Sequence, residues 1–379
     1  MSLYTLPESL LERWFAQFEF VPGMHMLAAS WPSSVTTREL LGLEEPETTT
    51  RYLELNLDYI ENPGTESLRQ AIANLYTRLD AQDIRTMSGA SEALSLLILT
   101  RTQPGDNILV EDPGYETITG IAQSRGIEVR RFSRQIEQDW KPDLAKLAGL
   151  ADRRTRLISL THAHHPTGAL LQKEDMQAIA QIAEKVGALI VSDEVFRLIT
   201  LDGTTAPSFI DVVEQAVVLG DMSKPWGLGG LRIGWVASRD HELLQQLSAA
   251  RDYSSMSSSA PGEFLAEIAL RQTENIMAPR LAAARSNLRR LAQAIATSRQ
   301  ALRWSRPQAG YTAFVQLPFA TKSFCRYLAE EKRLLLLPGY VYGKAYEQFV
   351  RIGFGADALQ FAEDLDILLQ ELEKWQSHV

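Results

Sequence analysis

A single lysine stands in a segment that otherwise holds mostly small and apolar residues. Lys224 lies in "LGDMSKPWGLGGLRIGW", residues 219–235, which also carries Asp221 and Arg232. The amine of a lysine shielded from water is a good nucleophile and base, because burial disfavours its charged form. A glycine-rich loop with a solvated lysine is the simpler explanation of the segment. Polar residues elsewhere in the chain distinguish the two.

Three further polar features follow predicted strands. "EDPGYET" places Tyr115 just beyond a strand, where its ring is able to stack on a planar group. "ALIVSDEVF" ends an apolar strand with Asp193, and a buried carboxylate requires a cationic partner. "SGASEAL" puts Ala90 and Ser91 at the start of a helix, where free backbone N–H groups favour an anion such as phosphate. Taken singly, each has a structural explanation: a packed tyrosine, a buried ion pair, or an ordinary helix cap.

The histidine cluster and the glycine-rich segment allow two other interpretations. "THAHHPTG" contains His162, His164 and His165, but no acidic ligand lies at zinc spacing and the turn is tight, so we predict no metal site. "GLGGLRIG" is close to a dinucleotide-binding fingerprint. It precedes a strand instead of opening a helix, so we do not expect a dinucleotide.

One ligand accounts for the lysine, the aspartate, the tyrosine and the helix start together: pyridoxal 5'-phosphate. Lys224 would form a Schiff base with its aldehyde, and Asp193 would pair with the protonated ring nitrogen. Tyr115 would stack on the ring. The helix N–H groups, together with Arg232, would hold the phosphate.

The elements that must position these residues alternate between helix and strand over residues 66–235. Amphipathic segments such as "ESLRQAIANLYTRL" and "MQAIAQIAEKVG" alternate with apolar runs such as "NILVEDP", "RLISLTH", "ALIVSDEV" and "AVVLGDM". This pattern predicts an α/β fold with a mainly parallel sheet between helices, and ligands of such sheets bind beyond the carboxyl ends of the strands.

The rest of the chain predicts a smaller lobe. A long helical stretch covers about 240–300, and "YTAFVQLP", "RLLLLPG" and "FVRIGFG" read as short strands before a closing helix, which together predict an α+β domain. "ESLLERWFAQFEF" predicts an amphipathic helix that packs on this lobe. We therefore divide the chain into an N-terminal segment of the small domain (1–45), a large cofactor-binding domain (46–290) and a C-terminal small domain (291–379).

Composition limits the class of protein. The 379 residues are 45% hydrophobic and 22% charged, with neither a membrane-length apolar run nor an N-terminal signal pattern, so we expect a cytoplasmic protein without a membrane partner. A net charge of −9 argues against nucleic acid as a partner. The single cysteine, Cys325, excludes an internal disulfide and a cysteine zinc cluster.

The motifs as a set resemble a known family. "NPGTESLRQAI" after Tyr59, "SGASEAL", "DPGYE", "HPTG", "SDEVF", "SKPWGLGGLRIGW" and "VRIGFG" are similar, in order and spacing from about residue 50 to 355, to fold type I pyridoxal-phosphate enzymes of the class I/II aminotransferase family. The resemblance implies a seven-stranded type of sheet. It also implies an amino acid substrate that binds the cofactor through an external aldimine.

The resemblance also assigns residues. It implies that Lys224 is the Schiff-base lysine, that Asp193 pairs with the ring nitrogen, and that Tyr115 stacks on the ring. Arg351 would clamp the substrate carboxylate by a bidentate pair. Tyr59 would reach the phosphate of the neighbouring subunit, which implies a homodimer with shared active sites. The residues implied around the phosphate are Ala90, Ser91, Ser223 and Arg232.

Three residues depart from the family pattern. His165 replaces the usual asparagine before Pro-Thr-Gly, and Phe196 replaces the usual tyrosine, although both family residues hydrogen-bond the phenolic oxygen of the ring. His165 is the candidate to replace the lost donor. Asp221 stands where a serine or threonine normally touches the phosphate. A carboxylate there repels phosphate, so Asp221 must turn away or meet a cation.

These departures are compatible with an ordinary aminotransferase and with an altered reaction. The chain resembles the capreomycidine synthase type of enzyme, which cyclises a hydroxylated arginine, in "LERWFAQFEF", Phe196, "ARDYSSMSSSAP", "PRLAAARSNLRR" and "LLLLPGYVYG". Arginine-oxidising relatives also have the phenylalanine and an acid three residues before the lysine. This favours Asp221, with Glu12 or Glu8, as partners of a guanidinium, although a solvated helix face explains Glu8 and Glu12 equally well.

Two classes of protein without catalytic activity fit the sequence poorly. A pyridoxal-phosphate regulator fused to a DNA-binding module needs a winged-helix domain and a basic patch, and the sequence shows neither. A structural protein without cofactor does not explain the combination of Lys224, Asp193 and Arg351. We therefore predict a pyridoxal-phosphate enzyme.

Overall fold

The computed structural model describes residues 6–375; the ends of the two outer predicted domains, 1–5 and 376–379, lie outside the described residues. The helices are α1 (Leu10–Phe18), α2 (Thr37–Leu41), α3 (Pro46–Leu53), α4 (Glu66–Ala73), α5 (Ala90–Arg101), α6 (Glu116–Ser124), α7 (Leu144–Leu150), α8 (Lys173–Val186), α9 (Phe209–Val212), α10 (His241–Arg251), α11 (Ala260–Arg271), α12 (Thr273–Thr297), α13 (Thr321–Lys332) and α14 (Ala358–Trp375). Short 3-10 helices cover Ala81–Asp83, Ile136–Gln138, Gly229–Leu231, Gly339–Tyr342 and Lys344–Tyr346. The strands are β1 (Ile84–Met87), β2 (Asn107–Asp112), β3 (Glu128–Ser133), β4 (Thr155–Thr161), β5 (Leu189–Asp193), β6 (Val217–Asp221), β7 (Gly234–Ala237), β8 (Thr312–Gln316), β9 (Leu337–Pro338) and β10 (Phe349–Gly353).

The larger sheet has seven strands in the order β1-β7-β6-β5-β4-β2-β3. All neighbouring pairs from β6 to β3 are parallel, and β7 runs antiparallel to both β1 and β6. The central strands are buried along nearly their whole length, because helices cover both faces. The predicted mainly parallel α/β sheet is confirmed.

Two hydrophobic cores lie on opposite faces of this sheet. Successive residues of β6 alternate between them: Val217 and Leu219 belong to the first core, and Val218 belongs to the second. Helices α5 and α10 contribute to the first core through Leu97 and Leu247, among others. Helices α4, α8 and α11 contribute to the second core. The sheet is therefore held rigidly, with the carboxyl ends of its parallel strands at one edge.

The smaller sheet joins β8, β10 and β9 in that order, with both pairs antiparallel. Helix α13 packs on it through Phe324 and Leu328, and α14 packs through Phe361 and Leu365, all within the first core. This confirms the smaller α+β part. The predicted strand "RLLLLPG" pairs with β10 only at Leu337–Pro338.

The N-terminal segment connects the two sheets. In α1, the indole Nε1 of Trp14 donates a hydrogen bond of 2.9 Å to the carbonyl oxygen of Leu336. Further along, His25 forms an isolated bridge with Leu334. Helix α2 instead places Leu40 in the second core, against α11. The domain limits at 45 and 290 stay predictions. Helix α12 runs across the second of them.

Candidate active site

A cavity of about 470 Å³ opens at the carboxyl ends of β4, β5 and β6. It lies between the large sheet and the N-terminal segment, as expected for a ligand site of a parallel sheet. The structure brings together nearly every residue predicted from the sequence. The predicted residues that line the cavity are Glu12, Ala90, Ser91, Tyr115, His165, Asp193, Phe196, Asp221, Ser223, Lys224, Arg232 and Arg351.

Lys224 projects from the turn after β6 into this cavity. Its Nζ donates a hydrogen bond of 3.1 Å to the hydroxyl of Ser30 and lies 5.0 Å from the ring centroid of Trp31. Burial, followed by the positive charge of Arg351, lowers the pKa of Lys224 to about 8, against the opposing effect of nearby carboxylates. The amine is therefore poised to lose its proton near neutral pH, as a nucleophile or base requires.

Asp193 is the last residue of β5 and lies on the floor of the cavity. Its Oδ1 accepts a hydrogen bond of 3.2 Å from the backbone N–H of Val195. Burial raises the pKa of Asp193 to about 7, and the negative charge of Asp221 adds to this effect, while Lys224 opposes it. A carboxylate in this position gains most from a buried cationic N–H, such as a protonated ring nitrogen.

The start of α5 and the turn after β6 form a cradle of backbone donors. The N–H of Ala90 donates to Oδ2 of Asp221 at 3.2 Å, and the N–H of Ser223 donates to Oδ1 at 2.5 Å. Arg232 closes the cradle, with its Nη2 donating to the carbonyl oxygen of Ser88 at 3.3 Å. These donors suit an anion, and in the structure the anion is Asp221 itself.

Two glycines permit this close approach. Gly89 has φ +83°, in the left-handed region, and a side chain there would collide with the guanidinium of Arg232. A Cβ at Gly234, the first residue of β7, would lie 2.8 Å from the backbone nitrogen of Ala90. The cradle therefore depends on bare backbone at both positions.

Tyr115 stands at the mouth of the cavity, immediately before α6. Its hydroxyl donates a hydrogen bond of 3.1 Å to Oε1 of Glu12, which belongs to α1. Burial, followed by the negative charge of Glu12, raises the pKa of Tyr115 to about 12, so the hydroxyl keeps its proton and remains a donor. The contact ties α1 to the ring of the tyrosine predicted to stack on the cofactor.

His165 and Phe196 lie against each other inside the cavity. Their ring centroids are 4.8 Å apart and their planes are inclined by only 6°. Nη1 of Arg351 donates to Nε2 of His165 at 2.9 Å, so Nε2 is an acceptor. Burial, followed by the charges of Arg351 and Lys224, lowers the pKa of His165 well below its ordinary range. The neutral ring therefore carries its proton on Nδ1, which is the donor that the predicted contact with a phenolic oxygen requires.

Arg351, from β10, is buried and held from several sides. Its Nε and Nη2 donate to the carbonyl oxygen of Ala28 at 3.2 and 2.7 Å. Its Nη1 donates to His165 and, at 3.1 Å, to the hydroxyl of Tyr342. A guanidinium has five N–H bonds, so these contacts leave one for a ligand. A bidentate pair with a substrate carboxylate requires Arg351 to release one of them.

Tyr59 is the predicted site residue that lies away from this cavity. It is 84% exposed, in the connection between α3 and α4. A separate surface hollow is lined by Leu57, Asp58 and Tyr59, together with residues 255 and 257–261. Tyr59 does not line the cavity of its own protomer, so its predicted contact with the phosphate of a neighbouring subunit stays a prediction.

Sequence reasoning missed several residues of the site. Glu19, Ser30 and Trp31 line the cavity, and Tyr342 holds Arg351 from behind. Burial, followed by the charge of Glu12, raises the pKa of Glu19, while Lys224 opposes the shift. The seven-residue spacing of the two glutamates, two helical turns, was the available signal. Glu8, the other predicted acid, is exposed and is not among the residues that line the cavity.

The remaining histidines of "THAHHPTG" are structural. Nε2 of His162 lies 3.0 Å from the carbonyl oxygen of Pro207, and Nε2 of His164 lies 3.0 Å from that of Pro113. Burial lowers the pKa of both rings. Among residues 6–375, the structure contains no group of three histidine, cysteine or acidic side chains that could hold a metal ion. No helix in the same range is long and apolar enough to cross a membrane.

The residues of the cavity fit pyridoxal phosphate. A half-buried amine of lowered pKa lies between a cradle of backbone donors that depends on Gly89 and Gly234 and a half-buried carboxylate of raised pKa. A phosphate group bound here would have to share these backbone donors with the carboxylate of Asp221, or displace it. Fold and site together define a pyridoxal-phosphate enzyme of fold type I.

Comparison with known proteins gives the family. A model of "Aminotransferase class I and II" matches residues 53–370, and the chain belongs to this family. A PLP-dependent aminotransferase from Streptococcus suis has a similar structure, with a TM-score of 0.91, 29% identity and coverage of 98% of each chain.

Two further relatives match nearly the whole chain. Capreomycidine synthase from Streptomyces vinaceus is 29% identical over 371 residues, which cover 97% of this chain and 94% of that protein. The PLP-dependent cyclase OrfR has a TM-score of 0.86 and 26% identity, and the match covers 96% of this chain and 97% of that one. Neither similarity is therefore confined to one part of the chain.

Proposed function

We propose that this enzyme cyclises a hydroxylated, arginine-like amino acid with loss of the side-chain hydroxyl as water. The observation that carries the proposal is the acidic side of the cavity, where Glu12 and Glu19 line the same space as Lys224. The similarity to capreomycidine synthase and to the cyclase OrfR supports it.

The acidic side of the cavity suits a cationic side chain. Glu12 lies in the first turn of α1, and Glu19 is the C-cap residue at its other end. Phe15, between them in the sequence, also lines the cavity. A guanidinium is planar, carries five donors and combines charge with an apolar face, so it matches carboxylates and an aromatic ring together. Asp221 remains a predicted third acid, although both of its oxygens accept backbone N–H groups.

Bound pyridoxal phosphate supplies an aldehyde for the substrate amine and a protonated ring that withdraws electrons from Cα. Lys224, whose pKa is about 8, would act as the base that takes the α-proton. Asp193, on the floor of the cavity, would pair with the ring nitrogen and favour its protonated form. Arg351 would orient the substrate carboxylate, and the ring of Trp31, whose centroid lies 5.0 Å from the Lys224 amine, would shield that amine in part.

An ordinary aminotransferase is the alternative. It needs the same Lys224, Asp193 and Arg351, because the two reactions separate only after the α-proton has been removed. The family model and the similarity to the Streptococcus suis aminotransferase support this alternative equally. The acidic cavity favours the cyclase.

We also propose a homodimer with shared active sites. Tyr59 is exposed, as are Leu57, Tyr253 and Met256, and Tyr59 and Leu57 line one hollow with residues 255 and 257–261, on either side of Met256 in the sequence. Contiguous exposed apolar residues are typical of protein interfaces. A second copy seated on this face would cover them and bring its Tyr59 toward the cradle of the first.

The test compares substrates that differ in charge or in the hydroxyl group. The enzyme loaded with pyridoxal phosphate is incubated with arginine, hydroxyarginine, hydroxycitrulline and common amino acids, and products are followed by mass and by keto-acid assay. We expect loss of one water from hydroxyarginine and none from neutral hydroxycitrulline. Rapid keto-acid formation from ordinary amino acids, with no response to guanidino compounds, would instead establish the aminotransferase.

A variant pair locates the recognition of the guanidinium. We expect Glu12→Gln to raise KM for hydroxyarginine by about 10-fold or more, since a charge-assisted hydrogen bond is lost. Glu8→Gln is the matched control, because that side chain is exposed and does not line the cavity. Equal KM values for the two variants would rule out Glu12 as the partner.

A further inference from the structure

Asp221 holds the same backbone donors that suit a phosphate group. Its two carboxylate oxygens accept the N–H groups of Ala90, at the start of α5, and of Ser223, in the turn before Lys224. The side chain is buried, with 6% of the residue exposed. A Cβ added to Gly89 would lie 3.2 Å from Oδ2 of Asp221 and would also meet Arg232, so all of these groups share one small space.

The charges around the cradle nearly balance before any ligand is considered. Arg232 and Lys224 are the cations that face Asp221, and Asp193 is the other acid beside it. A phosphate monoester brings between one and two further negative charges at neutral pH. Two anions that share donors in a partly buried site repel each other strongly. The carboxylate must therefore yield at least one N–H group when a phosphate enters.

We propose that Asp221 is a built-in competitor of the cofactor's phosphate group. The negative charge at position 221 lowers the affinity for pyridoxal phosphate specifically through the phosphate. Retention of the cofactor then depends more on its bond to Lys224 than on the cradle. The inference concerns the cofactor alone, so it stands whether the enzyme proves to be a cyclase or an aminotransferase.

The experiment is a thermodynamic cycle between the charge and the phosphate. Apoenzyme is titrated with pyridoxal phosphate and with pyridoxal, which lacks the phosphate, and binding is followed by the absorbance of the bound aldehyde. Asp221→Asn keeps the shape of the side chain and removes its charge. Because the charge of Asp221 also acts on Lys224 and Asp193, pyridoxal affinity will change as well; we expect pyridoxal phosphate binding to tighten by about 10-fold or more beyond any change in pyridoxal binding.

Further variants separate charge from structure. Asp221→Ser removes the charge with a smaller side chain and should also tighten pyridoxal phosphate binding, which keeps the test open if the asparagine variant folds poorly. Asp221→Glu keeps the charge and should bring no gain. Asp143→Ser is the matched control, because Asp143 accepts a backbone N–H of α7, outside the cavity lining. Thermal unfolding of each apoprotein checks that the variants are folded.

The proposal fails if the cycle shows no coupling. Weaker pyridoxal phosphate binding by Asp221→Asn would mean that the carboxylate supports the phosphate site. An equal change for pyridoxal phosphate and pyridoxal would mean that the charge acts on the ring or on Lys224. Unchanged affinity for both aldehydes would mean that Asp221 leaves the cradle without cost.

Discussion

At the scale of single residues, Asp193 shows how burial sets the chemistry of the cavity. The strand β5 places it on the floor of the cavity, where surrounding protein atoms disfavour the ionised form and raise its pKa to about 7. Lys224, close by, is shifted in the opposite direction for the same physical reason. Removing water brings an acid and an amine toward the same pH range, which is where proton transfer is efficient.

The shift of Asp193 predicts a pH dependence of stability. In the unfolded chain an aspartate ionises near pH 4, whereas in the folded apoprotein Asp193 ionises at about 7. Between these values the unfolded chain holds fewer protons, so the unfolding free energy falls as pH rises from about 4 to about 7. Asp193→Asn removes this loss. We expect the wild type to lose a few kcal/mol relative to the variant over this range, measured by urea unfolding of the apoproteins.

The direction of this change is the decisive result. A difference between wild type and Asp193→Asn that stays constant from about pH 4 to 7, or that changes in favour of the wild type, contradicts the raised pKa. Circular dichroism of the folded baselines at each pH excludes a change of fold as the cause.

Some residues of the site were predictable because they follow strands. Lys224, Asp193 and Tyr115 each come directly after an apolar run, where a parallel sheet collects its ligand-binding groups. The contact of His165 with Arg351 was not predictable, because it joins residues 186 positions apart. Its geometry depends on how the smaller sheet sits over the larger one.

At the scale of elements, α1 is a wall of the cavity fastened to the smaller sheet. Trp14 anchors it by its hydrogen bond to Leu336 and by edge contacts with the rings of Phe18 and Tyr340. The guanidinium of Arg326, from α13, lies 5.6 Å from the Trp14 ring. The opposite side of α1 presents Glu12 and Phe15 to the cavity. Loosening the anchor should therefore disturb substrate binding.

Trp14→Phe tests this arrangement. It leaves the carbonyl of Leu336 without its partner, and we expect a loss of about 1–3 kcal/mol in unfolding free energy together with a higher KM for the substrate. Trp140→Phe is the matched control. Trp140 is equally buried, and among the described residues its Nε1 has no hydrogen-bond partner. Equal losses of stability and equal KM values for the two variants would argue against the anchor.

The sequence predicted the central strands and missed the outer ones. β2, β4, β5 and β6 are rich in apolar residues and mostly buried, because helices cover both of their faces. β3, "EVRRFS", lies at the edge and is half solvated, so its charges conceal the strand pattern. β1 is only four residues long and is specified by its pairing with β7.

The N-terminal segment also contributes residues of the site that the sequence did not predict. Ser30 and Trp31 reach Lys224 across 194 and 193 positions of chain, respectively. Neither lies in a periodic element, and no local pattern distinguishes them. Their position follows from the bridge of His25 with Leu334 and from the packing of α1, which are tertiary contacts.

At the scale of the whole molecule, one face holds large apolar side chains outside both cores. Leu53, Leu57, Tyr59 and Tyr253 are each more than three quarters exposed. The loop that carries Tyr253 is nevertheless held firmly from inside. Buried Arg251 donates to the carbonyl oxygen of Asn62 and to the hydroxyls of Ser255 and Ser258.

This network links the exposed face to the active site. Glu92, from α5, accepts the backbone N–H of Ser88 at 2.7 Å and the hydroxyl of Ser254 at 2.6 Å. The same glutamate therefore contacts the start of the cradle and the loop of the exposed face. A second copy bound on this face would therefore contact a loop that is hydrogen-bonded, through Glu92, to the start of the cradle.

Mixing two defective proteins tests whether the proposed dimer shares its sites. Lys224→Ala lacks the reactive amine, and we expect Tyr59→Ala to lose about 10-fold or more in activity through weaker phosphate binding. If Tyr59 serves the partner's site, a hybrid of the two variants has one intact site and one doubly defective site. Random re-association of equal amounts should then restore about a quarter of wild-type activity. If Tyr59 acts only within its own chain, each site in the hybrid keeps one defect and mixing restores nothing. Sedimentation of the mixture shows that hybrids have formed, so the absence of recovery in a mixture that does contain them would overturn the shared site.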